Sequence, residues 1–388
     1  MAKKKELREL CRLFLRLGLT AFGGPAAHIA LMQREVVEKR GWMDHEHFLD
    51  LIGATNLIPG PNSTEMAIHI GQERGGWRGL LIAGACFICP AVVITGVIAW
   101  LYQRYGQLPQ VSAFIYGIKP AVIPVILAAA LPLARKALKL EGRRLELQGR
   151  RPGQIPATVL WVIALAALVA GLLGVNEIYV LFGAGLLALL WSAARRREDG
   201  LRGFIPVLLQ VPAVVVSNAR IFFSFLKIGA ILYGSGYVLF AFLDSELVAK
   251  GLLSRKVLVD AIAVGQFTPG PVFSSVTFIG WQMGGWKSAA LATLAIFLPS
   301  FVFVALSHPL VPRMRRSKLF SAFLDGVNAA SVAIILTVCI EFGRATITDW
   351  RTIAIAVAGA IVVFGFPKVN NALVILGGSV LGYLLLMV

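Results

Sequence analysis

Two Pro-Gly-Pro triplets, Pro59-Gly60-Pro61 and Pro269-Gly270-Pro271, stand 210 positions apart in an otherwise apolar chain. Proline has no N–H and glycine no Cβ, so neither triplet can continue a helix, and each leaves backbone groups without intrahelical partners. In hydrocarbon such groups are tolerated only inside protein or against a wet cavity. The match between the two regions runs far beyond the triplets. Phe14-Leu15-Arg16-Leu17-Gly18 pairs with Phe225-Leu226-Lys227-Ile228-Gly229, Gly23 with Gly234, Glu35 with Glu246 and Asp50 with Asp260. Downstream, Gly75-Gly76-Trp77 pairs with Gly284-Gly285-Trp286, and Pro90 with Pro299. The chain is therefore a duplicated unit, with one repeat over 1–200 and a second over 201–388. Paired helix breaks in duplicated halves are a common way to build a substrate site at the membrane midplane.

Hydrophobic residues make up 57% of the chain and charged residues 15%, with a mean hydropathy of +0.78. These values describe an all-α integral membrane protein. The net charge of +17 comes from clusters at the ends of apolar runs: Lys3 to Arg16, Arg135 to Arg151, Arg195 to Arg202 and Arg313 to Lys318. That is the distribution of cytoplasmic loops under the positive-inside rule, not of a nucleic-acid-binding face. The basic N-terminal region is interrupted by Arg12 and Arg16 and reads as retained, not as a signal peptide.

Apolar runs at 12–37, 78–104, 111–136, 156–174 and 176–194 approach or exceed the ~20 residues that span ~30 Å of hydrocarbon, and 219–245, 287–307, 320–343, 350–366 and 370–388 repeat them. The Pro-Gly-Pro segments, 44–74 and 254–283, have arms too short to cross alone, which predicts re-entrant helix pairs. Five crossings per half, about ten in total, would invert the second repeat relative to the first. Inversion places the three internal basic loops inside but the basic N-terminus outside.

The candidate binding residues follow from this arrangement. Asn62, Ser63 and Thr64 open the half-helix after the first triplet, and Ser274 and Ser275 do so in the second copy; helix N-termini with such residues favour an anion. Intramembrane cations point the same way: Arg16 and Lys227 at one repeat position, and Lys119, aligned with Asn328. Snorkelling to the interface is the alternative for each. Glu65, beside the first break and without an acidic partner in the second copy, either carries a coupling proton or satisfies the helix terminus. His28, after Gly23-Gly24-Pro25, is a core polar group or a proton relay. Asp44-His45-Glu46-His47 reads as an interfacial loop and not a metal site, since residues two apart do not share a helix face. Cys86 and Cys89 read as small apolar filler, and Gly378-x-x-x-Gly382 as a helix-packing surface, internal or dimeric. No cofactor or metal is expected. No nucleotide-binding P-loop and no hydrolase motif occurs, so an enzyme or ATP-driven pump is not expected.

Phe22-Gly23-Gly24-Pro25-Ala26-Ala27-His28-Ile29, Leu57-Ile58-Pro59-Gly60-Pro61 and Gly75-Gly76-Trp77 together resemble the chromate ion transporter family over nearly the whole chain. The resemblance implies a secondary transporter in a bacterial or archaeal cytoplasmic membrane, exporting chromate, a sulfate-like tetrahedral dianion, through two halves of opposite orientation. An anion channel, or a transporter of another oxyanion such as sulfate, is the alternative. The second copy departs from the pattern: Gly234-Ser235-Gly236 replaces Gly-Gly-Pro and no histidine follows. The half-sites are therefore expected to differ.

Overall fold

The structure is a computed structural model that describes residues 2–22, 24–106, 108–138, 155–194, 218–233, 236, 238–307, 318–366 and 369–387. Every regular element among them is helical. Gly23, Gly234, Ser235 and the basic segments 139–154 and 195–202 lie outside the described residues, as does most of 313–318.

In the first half, α1 (Ala2–Thr20) is followed by α2 (Gly24–Gln33), which runs into a π-helical turn, Arg34–Lys39. The apolar run at 12–37 is thus two helices and not one span. Gly24, at φ +78°, and Pro25 after it prevent the first helix from continuing. The second half repeats this correction to 219–245, with α8 (Asn218–Ile231), α9 (Val238–Leu243) and a π-turn at Asp244–Val248. Helix α3 (His45–Thr55) starts where an interfacial loop was expected: Asp44 is its N-cap, its side chain accepting from the His47 N–H at 2.7 Å. Ser254 caps α10 (Arg255–Phe267) in the same way, accepting from the Val257 N–H at 3.3 Å.

After the triplets come α4 (Asn62–Tyr105) and α11 (Ser275–Ser307), the latter preceded by a 3-10 turn at Val272–Ser274. Each is a hairpin of a short and a long helix, broken at Gly76 (φ +60°) in α4 and at Gly284 and Gly285 (φ +70° at Gly285) in α11. The arms lie so close that a Cβ on Gly71 would sit 2.3 Å from the Gly79 carbonyl, and one on Gly280 2.6 Å from that of Ser288. The first helix of each half packs on the long arm through a glycine as well. A Cβ on Gly18 would meet the Phe87 carbonyl at 2.6 Å, and one on Gly229 the Ile296 carbonyl at 2.3 Å. Contacts at repeat-related positions give the duplication a structural counterpart.

The remaining helices are α5 (Pro109–Ala137), α6 (Ala157–Leu172) and α7 (Glu177–Ala194) in the first half, and α12 (Lys318–Thr346), α13 (Trp350–Gly365) and α14 (Asn371–Met387) in the second. Five helical stretches are long and apolar enough to cross a membrane, namely Asn62–Tyr105, Ala113–Arg135, Glu177–Ala194, Val272–Ser307 and Leu319–Thr346. Helices α6, α13 and α14 have 16, 16 and 17 residues, about 24–26 Å at 1.5 Å per residue, slightly less than the hydrocarbon thickness. The halves exchange partners here: α5 packs on α13 and α14, while α12 packs on α6 and α7. The Gly378/Gly382 stripe is used inside the molecule, because a Cβ on Gly117 of α5 would lie 2.2 Å from the Gly378 carbonyl and 2.8 Å from the Gly382 Cα.

Gly117→Val should therefore destabilise the protein by about 1–3 kcal/mol or more through overpacking, whereas Gly377→Val, where nothing lies within 4 Å of the added Cβ, should not. Thermal unfolding of the two variants in detergent measures the difference, and equal midpoints would refute close packing at Gly117.

Candidate functional site

Both Pro-Gly-Pro triplets are fully buried, so their backbone groups need partners within the protein. The partners come from the opposite half. The Gly60 N–H donates to the Leu232 carbonyl at 2.8 Å, and the Gly270 N–H donates to the Ala21 carbonyl at 2.9 Å. Ala21 and Leu232 are themselves repeat-related, each just beyond the first helix of its half. The break after the first helix of one repeat therefore satisfies the triplet of the other, in both directions. Four interruptions of helix meet at one crossing.

The half-helices that leave the crossing have no side-chain cap. Pro61 is the N-cap of α4 and its carbonyl accepts from the Thr64 and Glu65 N–H groups at 2.8 and 3.0 Å. Pro271 plays the same part for the 3-10 turn before α11, accepting from Ser274 at 2.9 Å. Three of the five cap-type side chains expected at these ends are engaged elsewhere, while the Thr64 and Ser275 hydroxyls are buried without a hydrogen-bond partner among the described residues. Asn62 Nδ2 donates to Asn56 Oδ1 at 3.1 Å, Ser63 Oγ lies 3.3 Å from His28 Nδ1, and Ser274 Oγ lies 3.4 Å from Thr95 Oγ1. His28 is buried and its Nε2 is 3.2 Å from the same Ala21 carbonyl that receives Gly270. It thus ties the first break to the half-helix at Ser63.

Around the first triplet, a Cβ on Gly60 would lie 2.2 Å from Glu65 Oε1 and 2.7 Å from Ser300 Oγ. Glu65 is fully buried, with Ser300 as a polar neighbour and no salt bridge to a described cation. Around the second triplet, the residue in the place of Ser300 is Ala91, 2.9 Å from a Cβ on Gly270. Glu65 falls opposite Ser274 or Ser275, both buried. A cavity of about 10 Å³ lies against this second triplet, lined by Gly24, Gly265, Gln266, Thr268, Gly270, Val272 and Asn371, room for about one water. The first triplet therefore has an acid beside it, and the second has neutral side chains, with Thr268 the hydroxyl that lines the cavity.

The cations named from sequence are each paired with a carboxylate. Lys119 Nζ forms an ion pair with Asp260 Oδ1 at 2.8 Å, and Tyr102 donates its hydroxyl to Asp260 Oδ2 at 2.5 Å. Arg16 pairs with Glu35 at 2.6 Å, and Lys227 with Glu246 at 2.7 Å. These last two are repeat-related pairs, each extended by a lysine four residues after the glutamate, Lys39 and Lys250, at 2.8 and 2.5 Å. Asn328 is half-buried on α12. The carboxylate partners Asp260, Glu35 and Glu246 were visible in sequence as matched acids, yet pairing them with cations required the fold. Ser300 and the two carbonyl acceptors were missed, because no sequence signal marks an unpaired backbone carbonyl. The Cys86 thiol lies 3.4 Å from that of Cys11.

Apolar helices with broken backbones meeting at a shared centre define a multi-pass membrane protein of transporter type. The chromate transporter family model matches residues 8–189 and 219–383, and the chain belongs to that family. It is similar to the chromate transport protein of Cupriavidus metallidurans, 29% identical over 386 residues that cover 97% of this chain and 92% of that one. The chromate transport protein of Pseudomonas aeruginosa is 27% identical over 399 residues, again 97% and 92% of the two chains. An uncharacterized transporter of Bacillus subtilis is 29% identical over 129 residues, 33% of this chain and 72% of that protein. No solved structure matches the chain.

The Lys119–Asp260 pair gives a direct test. Removing the cation from a buried carboxylate costs about 3–5 kcal/mol, whereas removing both charges costs much less. Lys119→Gln should lower thermal stability strongly and the double variant with Asp260→Asn should recover most of the loss. Additive destabilisation in the double variant would show that the two charges do not depend on each other.

Proposed function

We propose that the protein is a secondary transporter that exports chromate across a bacterial or archaeal cytoplasmic membrane, with the crossing of the four helix breaks as its substrate site. The carrying observation is the reciprocal bonding of Gly60 to Leu232 and Gly270 to Ala21, together with family membership. Uncapped helix N-termini offer N–H groups and a positive dipole end to a tetrahedral dianion. The second half-site is the better receptor: Ser274, Ser275 and Thr268 can hydrogen-bond an oxyanion, while Glu65 at the first would repel one when ionised.

A one-water cavity cannot pass a tetrahedral dianion, so transport requires the crossed contacts to open. If the two repeats are inverted, opening at Gly60 and opening at Gly270 expose the centre to opposite sides, which is alternating access. The closed crossing supports a carrier over an open channel. Glu65, buried without a cation, is the group available to exchange a coupling proton. The membrane potential alone would also favour export, by about 4.6 kcal/mol per 100 mV for a dianion at ~2.3 per charge.

Two experiments test this reading. In proteoliposomes, chromate flux should respond to imposed pH and voltage gradients and show accelerated counterflow, with sulfate and molybdate as competitors. Glu65→Gln should abolish the pH-driven component while anion exchange at zero gradient persists. Equal loss of both would make Glu65 structural, and absence of counterflow would support the channel. For topology, Trp77 and Trp286 stand exposed at the hairpin tips. Trp77→Cys and Trp286→Cys, in a background without Cys11, Cys86, Cys89 and Cys339, should label from opposite faces. Labelling from one face would rule out inversion.

A further inference from the structure

A second feature lies on the flank of α1 and shares no residue with the crossing. Glu9, Arg12, Leu13, Arg16, Arg40 and Trp42 line a cavity of about 410 Å³, within the ~300–1,000 Å³ range of small-ligand pockets. Its charge is unbalanced. Glu35, almost fully buried, already serves Arg16, Lys39 and Arg40. Glu9 is engaged by Arg74 at 3.3 Å. Arg12 has no carboxylate partner among the described residues. Five cations thus surround two carboxylates.

The guanidinium groups are also held in place. The Trp42 ring carries the Arg74 Cζ at 4.4 Å and the Arg40 Cζ at 5.6 Å from its centroid, contacts that orient both groups. Arginine forks match the oxygens of a tetrahedral anion in a way that a lysine point charge does not. Leu13 and Trp42 add an apolar wall beside the charges. The second repeat has no equivalent: Phe223 stands in the place of Arg12, Leu252 in that of Trp42 and Arg220 in that of Glu9. The pocket is therefore not a by-product of the duplicated architecture.

We propose that this pocket binds a tetrahedral oxyanion group, either a free dianion or the phosphate of an anionic phospholipid headgroup, at a site separate from the crossing. Arg12 supplies the uncommitted charge, Arg40 and Arg16 the flanking donors, and Trp42 the surface against which the group or its glycerol seats. The inference concerns binding and does not depend on which anion the protein transports.

The test uses the full-length purified protein. Inorganic sulfate is titrated calorimetrically in detergent, and phosphatidic acid is presented in nanodiscs against a neutral phosphatidylcholine background, each at two ionic strengths. Loss of one charge-assisted contact should weaken binding about tenfold to a hundredfold. Arg12→Gln should show that loss for at least one probe, with Arg12→Lys recovering part of it, and higher salt should weaken the parent. Arg12 is exposed, so its replacement should leave the fold intact; an unchanged unfolding temperature checks this, and Arg40→Gln provides a second, independent variant. An Arg12-dependent response to sulfate alone identifies a free-anion site, and one to phosphatidic acid alone a headgroup site. If the parent binds neither probe, or if both variants bind as tightly as the parent, the proposal is overturned.

Discussion

The requirement that buried backbone groups find hydrogen-bond partners governs this molecule. The four helix breaks at the crossing leave amide and carbonyl groups that lipid cannot satisfy. Two of these breaks lie in each repeat, and each triplet's glycine N–H bonds to the break of the other half. Gly60 uses Leu232 and Gly270 uses Ala21. The remaining contacts are organised around this exchange: α1 and α8 approach the long hairpin arms through Gly18 and Gly229, bringing their terminal carbonyls to the triplets. The outer helices cross over in the same sense, α5 against α13 and α14, and α12 against α6 and α7.

On this near-symmetric frame the side chains are unequal. Position 65 is a glutamate and its opposite a serine; Ser300 faces Gly60 where Ala91 faces Gly270. His28 has Leu239 at its repeat-related position, and Lys119 has Asn328. An acid beside one triplet and neutral hydroxyls beside the other give the two half-sites different side-chain chemistry on the same backbone geometry.

Much of the architecture was legible in sequence because its cause is local. Pro-Gly-Pro forbids helix wherever it occurs, and repetition 210 residues later needs no structure to be seen. Gly23-Gly24-Pro25 announced a further break, although the apolar run through it was read as one span: hydropathy counts residues and does not register a positive φ at Gly24. The site was less legible. Arg16, Lys227 and Lys119 stood out as costly intramembrane charges, yet each is paired with a carboxylate on another element, in the same repeat for Arg16 and Lys227 and in the other repeat for Lys119, so what looked like free charge is largely compensated. Asn62, Ser63 and Ser274 were rightly placed at helix starts, but their hydroxyl and amide groups are turned to other partners. Side-chain direction depends on neighbours that only the tertiary fold supplies.

The crossed bonding also bears on how a duplicated gene can diverge. Position 300 presses on the triplet of the first repeat although it is encoded in the second, and position 91 does the reverse. A substitution in one copy is therefore felt in the other: position 300 shares its surroundings with Gly60 and Glu65, and position 91 with Gly270. The room at each triplet is thus set by a side chain that the other copy encodes.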